Sequence, residues 1–460
     1  MSRKGGRQSM VKTGRAQRPI REDLVRSLVL EAYGAIRGEG HVADRTLERI
    51  LRRERGLGSR ERRRVSEAVY GILRSEFRND ALLRRSLGAR YESLDTLARG
   101  ALHYEIWRLS GTGLPVEQEY SRSGLSRALL PGVLACLDPA AAQAYLPDDP
   151  AARLAIRHSL PEWIAHVFVR EVGLTEAEAL AASLTERAPL TIRANTLRTD
   201  RESLRQRLLE EGVKTSLTPH SPFGLRVEVR QNLMQLPSFQ EGLFEIQDEG
   251  SQLLALLLSP EPGWKVVDAC AGAGGKTLAL AALMQNRGRI LALDPDGRRL
   301  SQIGRRARRA GVHNWEAAQV PDEGLSEVER RWTARADAVL VDAPCTGLGV
   351  LRRNPDAASR LRPEDLREFP VLQRRLLDRY AALVRPGGRL VYGTCSVARE
   401  ENEEVVESFL ADHPEFELRP VAETLGRERA ESLGLDRYLR LFPHRHGTDG
   451  FFGALLVRAQ

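Results

Sequence analysis

Three short segments gather the side chains most able to do chemistry. The longest reads Asp268-Ala-Cys270-Ala271-Gly272-Ala273-Gly274-Gly275-Lys276-Thr277, between an apolar run at 264–267 and a helical run at 278–283. The pattern is a strand, a glycine turn and a helix start. Its glycines let a ligand approach the backbone closely, and the first turn of the helix offers unpaired N–H groups. The other two segments, Asp342-Ala-Pro-Cys345 and Gly393-Thr-Cys395-Ser396, each put a cysteine just past a predicted strand. Thiols so placed are candidate nucleophiles, because covalent catalysis splits one difficult step into easier ones.

Three readings of the glycine turn compete. A phosphate-binding P-loop requires Gly-x-x-x-x-Gly-Lys-Thr. Gly275-Lys276-Thr277 fits its second half, and Asp342 would serve as the metal-binding acid, but Cys270 occupies the first glycine position. The dinucleotide pattern Gly-x-Gly-x-x-Gly fails at Thr277. The third reading is S-adenosylmethionine, which calls for an acid at the end of the next strand to hold the ribose hydroxyls. Asp294 closes Arg289-Ile-Leu-Ala-Leu-Asp294 at that place, about 20 residues on, as in dinucleotide folds. Loop and acid together favour a nucleoside cofactor.

The elements that must hold these residues alternate. Predicted strands at 264–270, 289–294, 315–319, 336–342, 388–394 and 451–458 are separated by helices at 275–285, 296–310, 364–384 and 400–412. Such alternation implies an α/β, mainly parallel, doubly wound sheet, with ligands beyond the carboxyl ends of its strands. In the helix at 296–310, Leu300, Ile303, Ala307 and Ala310 form one buried stripe and arginines cover the rest. Upstream, residues 151–240 read as a small α+β unit, with helices at 161–172, 175–187 and 200–211 and strands at 189–195 and 224–230. Residues 22–148 read as all helical. Leu24, Leu28, Ala32 and Ala35 share one helical spacing, as do Val65, Val69, Ile72 and Leu73, and Trp107 closes a run at 94–109. The arginine-rich stretch 52–64 is either a phosphate-facing patch or a solvated loop. Residues 131–150, rich in Ala, Asp and Pro, read as a linker. Residues 1–21 read as a disordered basic tail.

Composition sets outer limits. The chain has 460 residues, 42% of them hydrophobic, and a net charge of +8 carried mostly by arginine, which suits an anionic partner. The four cysteines, at 136, 270, 345 and 395, have no Cys-x-x-Cys spacing, so no metal site and no disulfide framework are expected. The N-terminus lacks an apolar signal core and no run reaches about 18 apolar residues. A reduced cytoplasmic protein, not membrane-bound and with no need of more than a monomer, is the expectation.

The chain resembles the Sun/RsmB-type (NOL/NOP/Sun) family of RNA cytosine-C5 methyltransferases. The resemblance rests on Asp268 to Thr277, Asp342 to Cys345 with the following Arg352-Arg353-Asn-Pro-Asp356, Gly393 to Ser396, and Asp449-Gly-Phe-Phe452. Arg193-Ala-Asn195-Thr-Leu197 and Gln247-Asp248 are similar to the family's pre-catalytic segment. Residues 22–148 are similar to the NusB-like RNA-binding domain of the RsmB subgroup. The resemblance implies a class I, Rossmann-like catalytic domain at 241–460. It implies S-adenosylmethionine as cofactor and ribosomal RNA, that of the small subunit first, as substrate.

Roles follow position by position. Cys395 is then the nucleophile for carbon 6 of cytosine, Cys345 assists release, and Asp342 contacts the ring nitrogen beside the cofactor's methyl end. Cys270, Ala271, Gly272, Ala273, Gly274, Gly275 and Lys276 wrap the methionine part, and Asp294 holds the ribose. The family's acid for the adenine maps onto Asp322, in a segment of ambiguous register. Ala273 stands where the family has proline, which changes the stiffness of the loop. Two other readings keep a place: a P-loop-like NTPase, and an RNA-binding ribosome assembly factor whose methyltransferase domain is not catalytic. The missing first glycine speaks against the former, the intact pair Cys345 and Cys395 against the latter.

Overall fold

The computed structural model describes residues 19–112, 115–321 and 324–460. The chain forms two compact units, Met1–Tyr145 and Leu146–Gln460. The expected basic tail lies outside the described residues up to position 18.

The first unit is helical. Helices Glu22–Arg37, Ala43–Arg53, Ser59–Leu87 and Thr96–Ser110 share a core that includes Val25, Leu28, Ala32, Leu47, Ile50, Val65, Val69, Ile72, Leu73 and Tyr104. Both expected stripes supply that core, with Leu24 at its edge. The arginines of 52–64 are largely spent locally. Arg53 pairs with Glu31 at 2.7 Å, Arg52 with Glu48 at 2.6 Å and Arg63 with Glu67 at 2.8 Å. Arg62 donates to the carbonyls of Leu51, Glu54 and Leu57, capping the helix that ends at Arg53. Arg64 lies over the Trp107 ring at 4.5 Å.

The expected linker at 131–150 is a correction. Leu130–Leu137 and Pro139–Gln143 are helices, with Val133, Ala135 and Cys136 buried. Pro131, Pro139 and Pro150 all sit in the first turn of a helix, where a missing N–H costs nothing. Asp138 and Asp149 cap the next two helices by accepting from Ala140 N at 2.9 Å and Ala152 N at 2.7 Å. The composition that resembled a linker is a run of helix starts.

The second unit opens with helices Pro150–Arg157, Glu162–Val172 and Leu174–Thr185. A small antiparallel sheet follows, built from β1 (Leu190–Ala194), β2 (Thr215–Leu217), β3 (Gly224–Val227) and β4 (Phe244–Ile246) in the order β2-β3-β1-β4. β2 and β4, three residues each, are too short to show an alternation in sequence. The two segments of the pre-catalytic resemblance meet here: Arg193 Nε donates to Gln247 Oε1 at 2.7 Å. Asn195 Nδ2 reaches the carbonyls of Gly242 and Ala310, both at 2.8 Å.

The main sheet has eight strands: β5 (Lys265–Asp268), β6 (Arg289–Asp294), β7 (Trp315–Gln319), β8 (Ala336–Asp342), β9 (Val384–Thr394), β10 (Phe416–Arg419), β11 (Tyr438–Leu441) and β12 (Phe451–Arg458). Their order is β10-β12-β9-β8-β5-β6-β7, with β11 also on β12. The five strands from β9 to β7 run parallel, and β12 returns antiparallel to β9. The outer edge of β12 is shared, β11 pairing with 451–454 and β10 with 455–458.

The central strands are apolar on both sides, as buried parallel strands must be. Val266, Ile290, Leu340 and Val391 face one core, under helices Glu249–Leu258 and Gly275–Leu283. Val267, Leu291, Val339 and Tyr392 face the other, under Asp365–Ala381 and Glu403–Asp412. Helix Gly297–Ala310 buries Leu300, Ile303, Ala307 and Ala310 and leaves Arg298, Arg299, Arg305 and Arg308 exposed. Among the expected strands of this sheet, three limits differ. β5 starts one residue late, at Lys265. β5 stops at Asp268, two residues early, because the glycine turn has already begun; β9 starts at Val384, four residues early.

Candidate active site

β5 lies between β8 and β6, so the chain order reverses there and the carboxyl ends of the parallel strands open a crevice. Asp268, Asp294 and Asp342 end β5, β6 and β8, and Cys395 directly follows β9. Register does the rest. Asp342 is level with Gly393, so the cysteines three and two residues further on emerge side by side. Their sulfurs are 3.3 Å apart. Gly393 lets β9 pack closely on helix Glu249–Leu258: an added Cβ would sit 2.6 Å from Leu254 Cδ2.

The glycine turn adopts the shape its residues allow. Gly272 (φ +54°) and Gly274 (φ +83°) are left-handed, and the helix begins at Gly275. Asp294 fixes the loop from below, its two oxygens accepting from Gly272 N and Asp296 N, each at 2.8 Å. Arg306 donates to the Ala273 carbonyl at 2.8 Å and to Glu245 at 3.0 Å, which braces the position where the family has proline. Cys270, Gly272, Ala273, Gly275 and Lys276 are half-buried; Ala271 and Gly274 are buried. Asp322 lies outside the described residues.

Asp268, absent from the expected site, is the residue the sequence undersold. It is fully buried; Thr277 Oγ1 donates to its Oδ2 at 2.7 Å, and Oδ1 has no partner. Burial pushes its carboxyl up to about 6. Its position as the last residue of the strand before a glycine turn was the available signal. Burial also pushes the Cys270 thiol well above its ordinary range, and Asp342, Asp268 and Asp294 add to the effect. Three carboxylates thus surround the loop, an environment that repels a polyphosphate and suits a cation. S-Adenosylmethionine, with its ammonium and sulfonium, fits. The orphan Oδ1 of Asp268 and the acids at three strand ends are what such a group needs.

The thiol side has its own electrostatics. Lys276 Nζ bonds Asp342 Oδ2 at 2.6 Å and lies 5.5 Å from the centre of the Phe451 ring. Burial opposes its charge, but Asp342 more than offsets this, with a smaller pull from Cys395, and the ammonium is held above its usual range. The hydrogen bond to Cys395, then burial, push the Cys345 thiol well above its ordinary range. The two thiols share this contact, and either sulfur can be its donor.

The segments after each cysteine are tied to one another. Gly349 N donates to the Cys395 carbonyl at 2.9 Å, and Gly450 N to the Gly349 carbonyl at 2.9 Å. A Cβ on Gly349 would meet Gly450 O at 2.5 Å, so these two chains touch through backbone alone. Arg352 Nε donates to Asp449 Oδ1 at 2.7 Å; Arg353 bonds Asp449 and reaches Asp248 at 2.8 Å. The Arg-Arg and Asp-Gly-Phe-Phe motifs therefore form one clamp around the site.

Comparison with known proteins points to one family. The family model for the 16S rRNA methyltransferase RsmB/F matches residues 255–457, and that for the ferredoxin-like domain of the same proteins matches 160–233. A Synechocystis sp. protein named probable ribosomal RNA small subunit methyltransferase B is 32% identical, over 90% of this chain and 95% of its own. The Xylella fastidiosa ribosomal RNA small subunit methyltransferase B is 37% identical over 65% of this chain and 68% of its own. A crystallised methyltransferase homologue from Pyrococcus horikoshii is 29% identical with a TM-score of 0.57, covering 68% of this chain and all of its own (100%). Among the described residues no helix is long and apolar enough to cross a membrane. The chain belongs to the RsmB/F family of methyltransferases.

Proposed function

We propose that the protein transfers a methyl group to carbon 5 of a cytosine in ribosomal RNA, that of the small subunit, and does so as a cytoplasmic monomer. The observation that carries this reading is the pair of thiols 3.3 Å apart, beside Lys276–Asp342 at the mouth of the cofactor loop. The names of the relatives, small-subunit rRNA methyltransferases, support the substrate class.

Carbon 5 of cytosine is a poor nucleophile until something adds at carbon 6. Cys395 Sγ forms that bond, and electron density moves through the ring to carbon 5. Asp342 meets the ring nitrogen where negative charge accumulates, and the Lys276–Asp342 pair supplies the proton that neutralises it. S-Adenosylmethionine supplies the electrophilic methyl group. Asp268, Asp294 and the 270–276 loop hold it. Water takes the carbon-5 proton, its bonding pair re-forms the ring double bond, and the carbon–sulfur bond breaks to release Cys395 as a thiolate beside Cys345. A base inside a duplex cannot reach this crevice, so the target is unpaired or flipped out.

The test uses purified protein, methyl-labelled S-adenosylmethionine and unmodified small-subunit rRNA, with nucleoside analysis of the product. Labelled 5-methylcytosine at one position is the expected result. Cofactor binding without label in any rRNA or tRNA would favour a binding factor instead.

A further inference from the structure

A buried carboxylate that the mechanism above does not use lies behind both thiols. Glu401 closes the short turn Arg399–Glu401 and is fully buried. Its Oε1 accepts from Thr346 N at 2.8 Å and Gln373 Nε2 at 3.0 Å, and its Oε2 accepts from the Thr346 hydroxyl. Gln373 also donates to the Pro344 carbonyl at 2.9 Å. The residues on both sides of Cys345 thus hang on one side chain and its partner. The same hub reaches Cys395. Thr346 Oγ1 lies 3.2 Å from Ser396 Oγ, and the neighbouring Asn402 holds Thr394 Oγ1 at 2.6 Å and the Ser396 carbonyl at 3.1 Å. The Tyr392 hydroxyl donates to the Glu401 carbonyl from within β9.

We infer that Glu401 is a positioning residue that sets the distance between Cys345 and Cys395. It touches neither the cofactor loop nor the sulfurs. It acts by fixing the residue that follows each thiol: Thr346 by direct hydrogen bonds, and Ser396 through its hydroxyl, which meets both the Thr346 hydroxyl and the Glu401 carboxylate. A carboxylate suits the task because its two oxygens accept several bonds at once, and charge-assisted bonds to buried N–H and O–H groups are the strong ones. Sub-ångström placement of a nucleophile matters, since a shift of about 1 Å can cost roughly a hundredfold in rate. The inference rests on the paired-thiol reading of the site, and its test separates the two.

The variants are Glu401→Gln, which turns one acceptor into a donor, and Thr346→Val, which removes only the hydroxyl link. Each is made in the full chain. The first readout needs no RNA: the rate at which diamide oxidises the Cys345–Cys395 pair to a disulfide, taken with S-adenosylmethionine affinity and the melting temperature. The second is kcat and KM for methyl transfer to small-subunit rRNA. Both variants are expected to melt near the wild type and to bind the cofactor within twofold. Both should form the disulfide at least tenfold more slowly and lose at least tenfold in kcat with KM little changed. Disulfide rates and kcat within twofold of wild type would overturn the inference. So would a loss of cofactor affinity parallel to kcat, the mark of a merely structural role. If Glu401→Gln does not fold, Thr346→Val decides by the same criteria. If the wild type makes no 5-methylcytosine, the functional reading fails, while the diamide rates still decide the role of Glu401.

Discussion

Replacing Asp294 by Asn probes the cofactor side of the crevice with one atom changed. The carboxylate has about four acceptor sites. Two are taken by Gly272 N and Asp296 N, both at 2.8 Å, which fixes the orientation of the group and leaves the others for a ribose diol. Asn turns one oxygen into an NH2, which accepts neither from the backbone N–H on that side nor from a ribose hydroxyl. The loss is one charge-assisted hydrogen bond, about 1.5–3 kcal/mol. At about 1.4 kcal/mol per factor of ten, Kd for S-adenosylmethionine rises roughly 10- to 150-fold. Isothermal titration with the folded variant measures it, beside Cys395→Ala, whose affinity should match the wild type. A change below threefold for Asp294→Asn would refute the assignment of this acid to the ribose.

Other perturbations follow from single contacts. Gly393→Ala forces a methyl to within 2.6 Å of Leu254 Cδ2 and should destabilise the second unit by about 1–3 kcal/mol, seen as an earlier urea midpoint; an unchanged midpoint contradicts the packing. Asp268, pushed up to about 6 by burial, takes a proton as pH falls through that value, so affinity for the cationic cofactor should drop below pH about 6 in the wild type and lose that dependence in Asp268→Asn. The stability of the unliganded protein has the opposite sign. A carboxyl whose folded pKa exceeds its unfolded one binds its proton more tightly when folded, so stability rises as pH falls from about 6 towards about 4, and Asp268→Asn flattens that slope in pH-dependent denaturation. Arg306→Met frees the Ala273 carbonyl and should weaken cofactor binding a few-fold, by about 1 kcal/mol, in the same titration; no change means the loop holds its shape unaided.

Much of this site could be read from the chain because its chemistry lies at strand ends. The strands β6, β7, β8 and β12 occupy 289–294, 315–319, 336–342 and 451–458, as their apolar runs indicate. The glycine turn, Asp294, Asp342 and the two cysteines therefore have assignable places in the sequence alone. What escaped depends on contacts between distant segments. The helix expected at 400–412 begins only at Glu403, and the fold buries Glu401 and Asn402 against the cysteine turns. Arg352 and Arg353 find Asp449 nearly a hundred residues away, a pairing that no local pattern announces. Asp268 was visible, but its burial, and with it its unpartnered oxygen, was not. The capping role of Asp138 and Asp149 was hidden for another reason: Pro and Asp mark helix starts and linkers alike, and only packing tells them apart.

The covalent step is the centre of the account, and trapping it is the most direct measurement. Cys345→Ala protein is mixed with S-adenosylmethionine and small-subunit rRNA, run on a denaturing gel, and the linked peptide is identified by mass spectrometry. A stable protein–RNA adduct through Cys395, absent from Cys395→Ala, is the predicted result. No adduct, or one through Cys345 or Cys270 in the corresponding single variants, would contradict it.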